Sequence, residues 1–305
     1  MTAVGPLWYN NTMMSHDLTR FRADAHDYLL EQTIPLPTSA IARHLFGARR
    51  HEMPETQVVV RALLSADPRF VETHDHSWTV VGSPLLQKKL NKITFAVVDL
   101  ETTGSVIGVD EIIEIGLVLV RGGRVIDQFE TLVWTDRTIP PWVARLTNIS
   151  NADLEGAPTF SDVAEQVISL LDGNVFVAHD IRFDLPFLRW EFGRRGLQRP
   201  AVAGLCTLEL SRQLWPDLSS RSLHDLARTF GVEHVNPHRA SDDAMATSGV
   251  LLRALAAAAE MGLTDLGDLY CLEEMMHLED SGCSPEGVTD DESDGKDLAA
   301  RAAES

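Results

Sequence analysis

Over the first part of the chain, apolar residues recur at helical intervals. Phe21, Ala25, Tyr28 and Leu29 share a face, and Pro35 and Pro37 end that run. Thr38 predicts a cap for a second helix with Ile41, Leu45 and Phe46 inside, closed by Gly47. Pro54 suits the first turn of a third helix, with Val58, Val59, Ala62 and Leu63 as its inner face. The period then shortens to two. Phe70–Thr73 and Trp78–Val81 read as short strands around the polar turn His74–Ser77.

Gly82-Ser83-Pro84 and the polar run Gln87-Lys88-Lys89 predict a linker over residues 83–91. Beyond it, Ile93–Leu100, Ile112–Val120 and Arg124–Trp134 are β-rich, the last two joined by the hairpin turn Gly122-Gly123. Thr159 and Asp162 form a capping box ahead of Val163, Val167, Leu170 and Leu171, and Gly173 stops that helix. Asn174–Ala178 reads as a fourth strand, and helical patterns follow near 185–195, 207–214, 222–230 and 241–259. A meander followed by alternating helices and strands predicts an α/β domain with a mixed sheet over residues 92–260. Residues 20–82 read as a small α+β domain whose three helices and hairpin resemble a winged helix in topology, after a flexible stretch, 1–19. Residues 261–278 read as a C-terminal helical segment.

The net charge of −19 sharpens these boundaries. Residues 1–91 balance, with 9 basic and 9 acidic side chains, whereas residues 92–272 hold 15 and 25 and residues 273–305 hold 2 and 11. Nearly half the excess thus lies at the end of the chain, and residues 279–305 read as a disordered acidic tail. Cys206, Cys271 and Cys283 lie far apart without a CxxC, against a disulfide scaffold or a thiolate zinc site and in keeping with a reducing cytoplasm. No apolar run is long enough to span a membrane, and no signal peptide is expected, since the first basic residue is Arg20 and no apolar h-region precedes it. Trp134, Trp142, Trp190 and Trp215 read as core.

Three acidic clusters are placed unusually. In Val97-Val98-Asp99-Leu100-Glu101-Thr102-Thr103-Gly104, the two carboxylates lie two residues apart at a strand end and point to one face. They repel unless a cation lies between them, and hard divalent ions favour such oxygens. In Ala178-His179-Asp180-Ile181-Arg182-Phe183-Asp184, Asp184 follows a strand at a helix start. In His238-Arg239-Ala240-Ser241-Asp242-Asp243-Ala244, the acids open the long last helix.

Asp-x-Glu at a strand end, His-x-x-x-Phe-Asp, and His followed five residues later by Asp resemble the DEDDh family of 3′→5′ exonucleases. The likeness is nearest to the proofreading exonucleases of bacterial DNA polymerase III, the epsilon subunit and the PolC-type domain. Ile139-Pro140 with Leu146-Thr147-Asn148-Ile149 resembles the family's Ile-Pro…Leu-Thr-Gly-Ile segment, and Cys206-Thr207-Leu208 and Ser222-Leu223-His224-Asp225-Leu226-Ala227 match the stretch before the last motif. The resemblance spans about residues 92–258 and implies an RNase H-like mixed β-sheet flanked by helices. It implies Asp99, Glu101, Asp184 and Asp243 as ligands of two Mg²⁺ (or Mn²⁺) ions and His238 as general base, the five-residue spacing selecting Asp243 over Asp242. Thr102, Thr103, His179 and Phe183 would hold the terminal nucleotide, and Leu146 would wedge against its base. Asp180 stands where the family usually has Asn, and Asn148 where it has Gly.

The implied activity is metal-dependent release of nucleoside 5′-monophosphates from DNA 3′ ends, in proofreading or repair, by a cytoplasmic protein with a replication or repair partner. An exoribonuclease of the RNase T or oligoribonuclease type shares the catalytic set, and a nucleic-acid-binding scaffold with an idle nuclease fold is a third reading. Arg43, Arg49, Arg50 and Arg61 of the N-terminal module are candidate DNA contacts, with protein docking an equal reading at its zero net charge.

Overall fold

The computed structural model describes residues 11–47 and 54–270. The N-terminal part contains helix α1 (Asn11–Leu30), a short strand β1 (Leu36–Pro37), helices α2 (Thr38–Phe46) and α3 (Pro54–Ser65), and strands β2 (Phe70–Glu72) and β3 (Ser77–Val80). The strands pair antiparallel in the order β1-β3-β2. Ala25, Leu29, Ile41, Val60 and Leu64 close over Trp78 and Val80 as one small core. Three expectations change here. Helix α1 already includes residues 11–19, which were read as flexible. The inner face of α3 is Val60, Leu63 and Leu64, while Val58 and Val59 are exposed, because the helix is rotated relative to the phase read from the apolar run. Thr38 lies inside α2 and its hydroxyl accepts a bond from Trp78 Nε1 at 3.0 Å, so it anchors the hairpin rather than capping the helix.

The larger part is a five-stranded mixed sheet in the order β6-β5-β4-β7-β8. Strand β4 (Thr94–Thr102) runs antiparallel to β5 (Ile112–Arg121), which pairs with β6 (Arg124–Leu132) through the Gly122-Gly123 turn. Both turn glycines have positive φ, 58° and 80°, as a tight hairpin needs. On the other side of β4 lie β7 (Val175–Ala178) and β8 (Ala203–Cys206), both parallel to it. Strand β8 has no signature in the sequence, since the four residues Ala-Gly-Leu-Cys carry too little alternation to signal a strand.

Between the strands run α4 (Pro141–Thr147), α5 (Phe160–Leu171) and α6 (Ile181–Arg194), and after β8 come α7 (Thr207–Leu214), α8 (Leu223–Phe230), α9 (Ala240–Glu260) and α10 (Leu266–Tyr270). The Thr159–Asp162 capping box starts α5. Alternation along β4 sorts the two faces. Ala96, Val98 and Leu100 pack with Val163 and Val167 of α5 and Leu185 and Leu188 of α6. Phe95 and Val97 pack with Leu251 and Ala254 of α9. Asp99 and Glu101 therefore point to the α9 face. Among the described residues no helix is long and apolar enough to cross a membrane.

The segment read as a linker is packed. Leu85 and Leu86 are buried with Leu263, Leu266 and Leu269, and Gly267 N donates to Leu86 O at 2.9 Å. The β2–β3 turn also sits on β8. Asp75 Oδ2 accepts from Arg189 Nη1 at 3.3 Å, and His74 Nδ1 accepts from Cys206 N at 3.0 Å. Gly204 makes this approach feasible, since a Cβ there would fall 2.9 Å from Asp75 Cβ. Residues 1–10 and the acidic tail, 279–305, lie outside the described residues, as do Cys271 and Cys283.

Candidate active site

The carboxyl end of β4 brings all three acidic motifs together. Asp99 and Glu101 project from the α9 face. Asp184 reaches the same strand end from the first turn of α6, its Oδ1 accepting from Leu100 N at 3.1 Å. Asp243 lies in the first turn of α9. Asp184 and Asp243 are buried.

Burial pushes the Asp99 carboxyl well above its usual range, and the nearby charges of Asp184, Asp243 and Glu101 push it further. Burial likewise raises Glu101 to about 8, helped by Asp243 and Glu114. Asp184 is also pushed up to about 8, mainly by burial and against the bond from Leu100. Such acids hold protons unless cations replace them. The nearest cation, Arg239, is committed elsewhere: its guanidinium makes a two-pronged pair with Glu114, the Nη2–Oε1 distance being 2.6 Å.

Ligand atoms of Glu101, His238 and Asp243 all lie within 4.8 Å of one another, and oxygen donors with one imidazole suit a divalent ion. Asp99 and Asp184 add two more carboxylates to the same pocket of charge. His238 is exposed, on the loop before α9, with φ +64°. A left-handed histidine is strained, and here the strain turns an imidazole toward the carboxylates. Its backbone N–H donates to Asp243 Oδ2 at 3.2 Å. The other oxygen of Asp243 accepts from His234 Nε2 at 2.5 Å. His234 carries no signature in the sequence, since it sits in an irregular loop without periodicity.

The residues expected around the nucleotide differ in their freedom. Thr102 and Thr103 are buried, and their hydroxyls bond Gly104 O and Asp110. His179 has both ring nitrogens engaged: Nε2 donates to Arg221 O at 2.9 Å and Nδ1 accepts from the Thr207 hydroxyl at 3.0 Å. Its ring edges are thus taken up by the protein. Phe183 is half-buried against Phe187, with ring centroids 4.8 Å apart. Leu146 is exposed on α4.

Both departures from the family motifs have local explanations. Asp180 pairs with Arg182 at 2.9 Å and accepts from Arg182 N at the start of α6, so its charge is answered on the spot. Asn148 ends α4 with φ +55°, the left-handed conformation that Gly would adopt and that Asn tolerates best among the rest. Three of the four tryptophans read as core are exposed instead: Trp134 at 44%, Trp142 at 53% and Trp190 at 38%. Trp134 follows β6, Trp142 is in the first turn of α4, and Trp190 is on the outward side of α6. Of the candidate N-terminal contacts, Arg61 bonds Glu72 at 2.6 Å, Arg43 lies exposed on α2, and Arg49 and Arg50 fall outside the described residues.

Comparison with known proteins identifies the family of the chain. Residues 96–251 match the family model described as Exonuclease. The chain is 39% identical over 181 residues to "3'-5' exonuclease DinG" of Staphylococcus epidermidis, covering 59% of this chain and 20% of that protein. It is 36% identical over 197 residues to the protein of the same name from Bacillus subtilis, covering 63% of this chain and 21% of the relative. The chain thus spans about a fifth of the length of these curated relatives. The fold is similar to E. coli Exonuclease I in complex with a dT13 oligonucleotide, with a TM-score of 0.51, 19% identity, and 56% of this chain and 43% of that one covered. It is also similar to the nuclease domain of 3'hExo, a DEDDh family member, bound to rAMP, with a TM-score of 0.50, 20% identity, and 57% and 96% covered.

Proposed function

Because the chain belongs to the DEDDh-type exonuclease family, we propose that it is a 3′→5′ exonuclease that releases nucleoside 5′-monophosphates from DNA 3′ ends in proofreading or repair. The observation that carries this reading is the set of four carboxylates gathered at one strand end, none of them paired with a lysine or arginine among the described residues. Asp99, Glu101, Asp184 and Asp243 would hold two divalent ions, Mg²⁺ or Mn²⁺. When bound, such ions supply Lewis-acid activation of water and of the scissile phosphate.

The chain's own residues do the rest. His238 is exposed at the site, and its imidazole would serve as the general base that takes a proton from water. The strained loop and the bond from its backbone N–H to Asp243 hold that ring beside the ligands. Thr102 and Thr103 at the end of β4, Phe183 of α6 and Leu146 of α4 would hold the terminal nucleotide. His179 is held in place by Thr207 and Arg221.

A digestion panel with Mg²⁺ or Mn²⁺ tests this reading. The substrates are 5′-labelled single-stranded, paired and mismatched DNA and matched RNA. Stepwise shortening of DNA with mononucleotide release supports it. Strong preference for RNA, or no release beside an active control, overturns it.

A further inference from the structure

We propose that Glu114 and Arg239 are positioning residues that clamp helix α9 onto the strand pair β4–β5, and that this clamp sets the site's affinity for divalent ions through geometry rather than charge. The inference rests on the reading of Asp99, Glu101, Asp184 and Asp243 as metal ligands.

The register of the two strands carries it. Glu101 lies directly across from Glu114, and Asp99 directly across from Gly116. Directly opposed residues share a face, so both β5 positions look toward α9 alongside the two β4 carboxylates. Glu114 is 3% exposed at its side chain. Its Oε1 accepts from Arg239 Nη2 at 2.6 Å and from Nε at 3.1 Å, and its Oε2 accepts from Ala240 N at 2.8 Å. Ala240 is the first residue of α9, so this last bond satisfies a helix-start N–H that has no partner within the helix. Two positions along, a Cβ on Gly116 would fall 2.1 Å from Ala240 O. The first turn of α9 therefore rests on the bare backbone of β5.

One β5 residue grips the helix start and the next on that face makes room for it. From this fixed point α9 carries Asp243 less than one turn onward, and His238 lies one residue before Arg239. The span between Glu101 on β4 and the Asp243–His238 pair is thus set by Glu114. A carboxylate opposite Glu101 is otherwise unfavourable, since like charges directly across a sheet repel. Arg239 offsets that repulsion while completing the clamp.

Charge and geometry predict opposite signs for one substitution. Arg239→Ala leaves Glu114 uncompensated beside Glu101, so a purely electrostatic role makes the site more negative and Mn²⁺ binding tighter. A clamp makes binding weaker, by roughly the 10–100-fold seen for groups that orient metal ligands. The experiment is calorimetric titration of the full chain with Mn²⁺, with near-UV circular dichroism to verify the fold. Arg239→Lys keeps the charge and loses the two-pronged geometry, and Gly116→Ala keeps both charges and lifts the helix. Weaker Mn²⁺ binding in all three, with kcat reduced and KM for DNA little changed, supports the clamp. Unchanged or tighter binding in folded Arg239→Ala, or wild-type affinity in Arg239→Lys if the alanine variant does not fold, overturns it. If the wild-type chain itself binds no Mn²⁺, the ligand reading falls, and the clamp with it. A normal wild-type titration beside an unaffected variant sinks the clamp alone.

Discussion

Buried acids at two places in this molecule are treated in opposite ways. Asp75, at the β2–β3 turn, is 3% exposed at its side chain and fully answered. It accepts from the hydroxyls of Thr73 at 2.6 Å and Ser77 at 3.0 Å and from the Arg189 guanidinium at 3.3 Å. Asp99 and Asp184, at the end of β4, are also withdrawn from water, but their neighbours are other carboxylates. The first arrangement joins the N-terminal module to α6. The second is unfavourable by itself and makes sense when cations are supplied from outside. Burial alone does not separate a structural acid from a functional one. The number and sign of its partners does.

Substitutions at the two places should therefore fail in different ways. Asp99→Asn has the largest expected effect, lowering hydrolysis roughly a thousand-fold or more, since a metal centre supplies several kcal/mol of transition-state stabilisation. The same change removes a repelling charge, so at pH 8 the metal-free variant should melt no lower than wild type. A lower Tm there would erase the contrast. His238→Ala should reduce kcat about 10²–10⁴-fold with the fold intact, and near-normal turnover would remove the histidine from the role of base. Asp75→Asn should instead destabilise the chain by roughly 1.5–3 kcal/mol, as expected when a charged hydrogen bond is lost, with activity per folded molecule unchanged. Denaturant melts together with active-site titration read both quantities.

The pH dependence sharpens the same contrast more gently. Glu101 and Asp184 titrate near 8 in the folded chain, against ordinary values of 4.5 and 3.8. Between those limits the folded protein holds protons that the unfolded chain has released. Their contribution to stability is full below about pH 4 and is lost as pH rises through about 8. The Tm of metal-free protein should fall across that window. Mn²⁺ should raise it more at pH 8.5 than at pH 5, where protons compete for the ligands. A metal-free Tm that climbs from pH 5 to 8.5 would contradict the shifts.

The β-rich runs, the capping box and the carboxylates were readable because each depends on spacing within one segment. The period of two places Asp99 and Glu101 on one face, and the family resemblance selects Asp243 by its five-residue interval from His238. What escaped was set by contacts between distant segments. Glu114 becomes meaningful only through the β4–β5 register, and His234 only once its loop folds back onto α9. Strand β8 was too short to signal itself, and the packed course of residues 83–91 depends on Leu263, Leu266 and Leu269 far along the chain. Asn148 was visible as a departure from the family motif, but its reason, a left-handed helix end, needed the backbone.

The most direct test of the central claim is thermal unfolding of wild type and Asp99→Asn at pH 8, each with chelator and with Mn²⁺. If the carboxylates at the end of β4 form a metal site, Mn²⁺ raises the Tm of wild type and leaves that of the variant almost unmoved. Equal responses in the two proteins would contradict it.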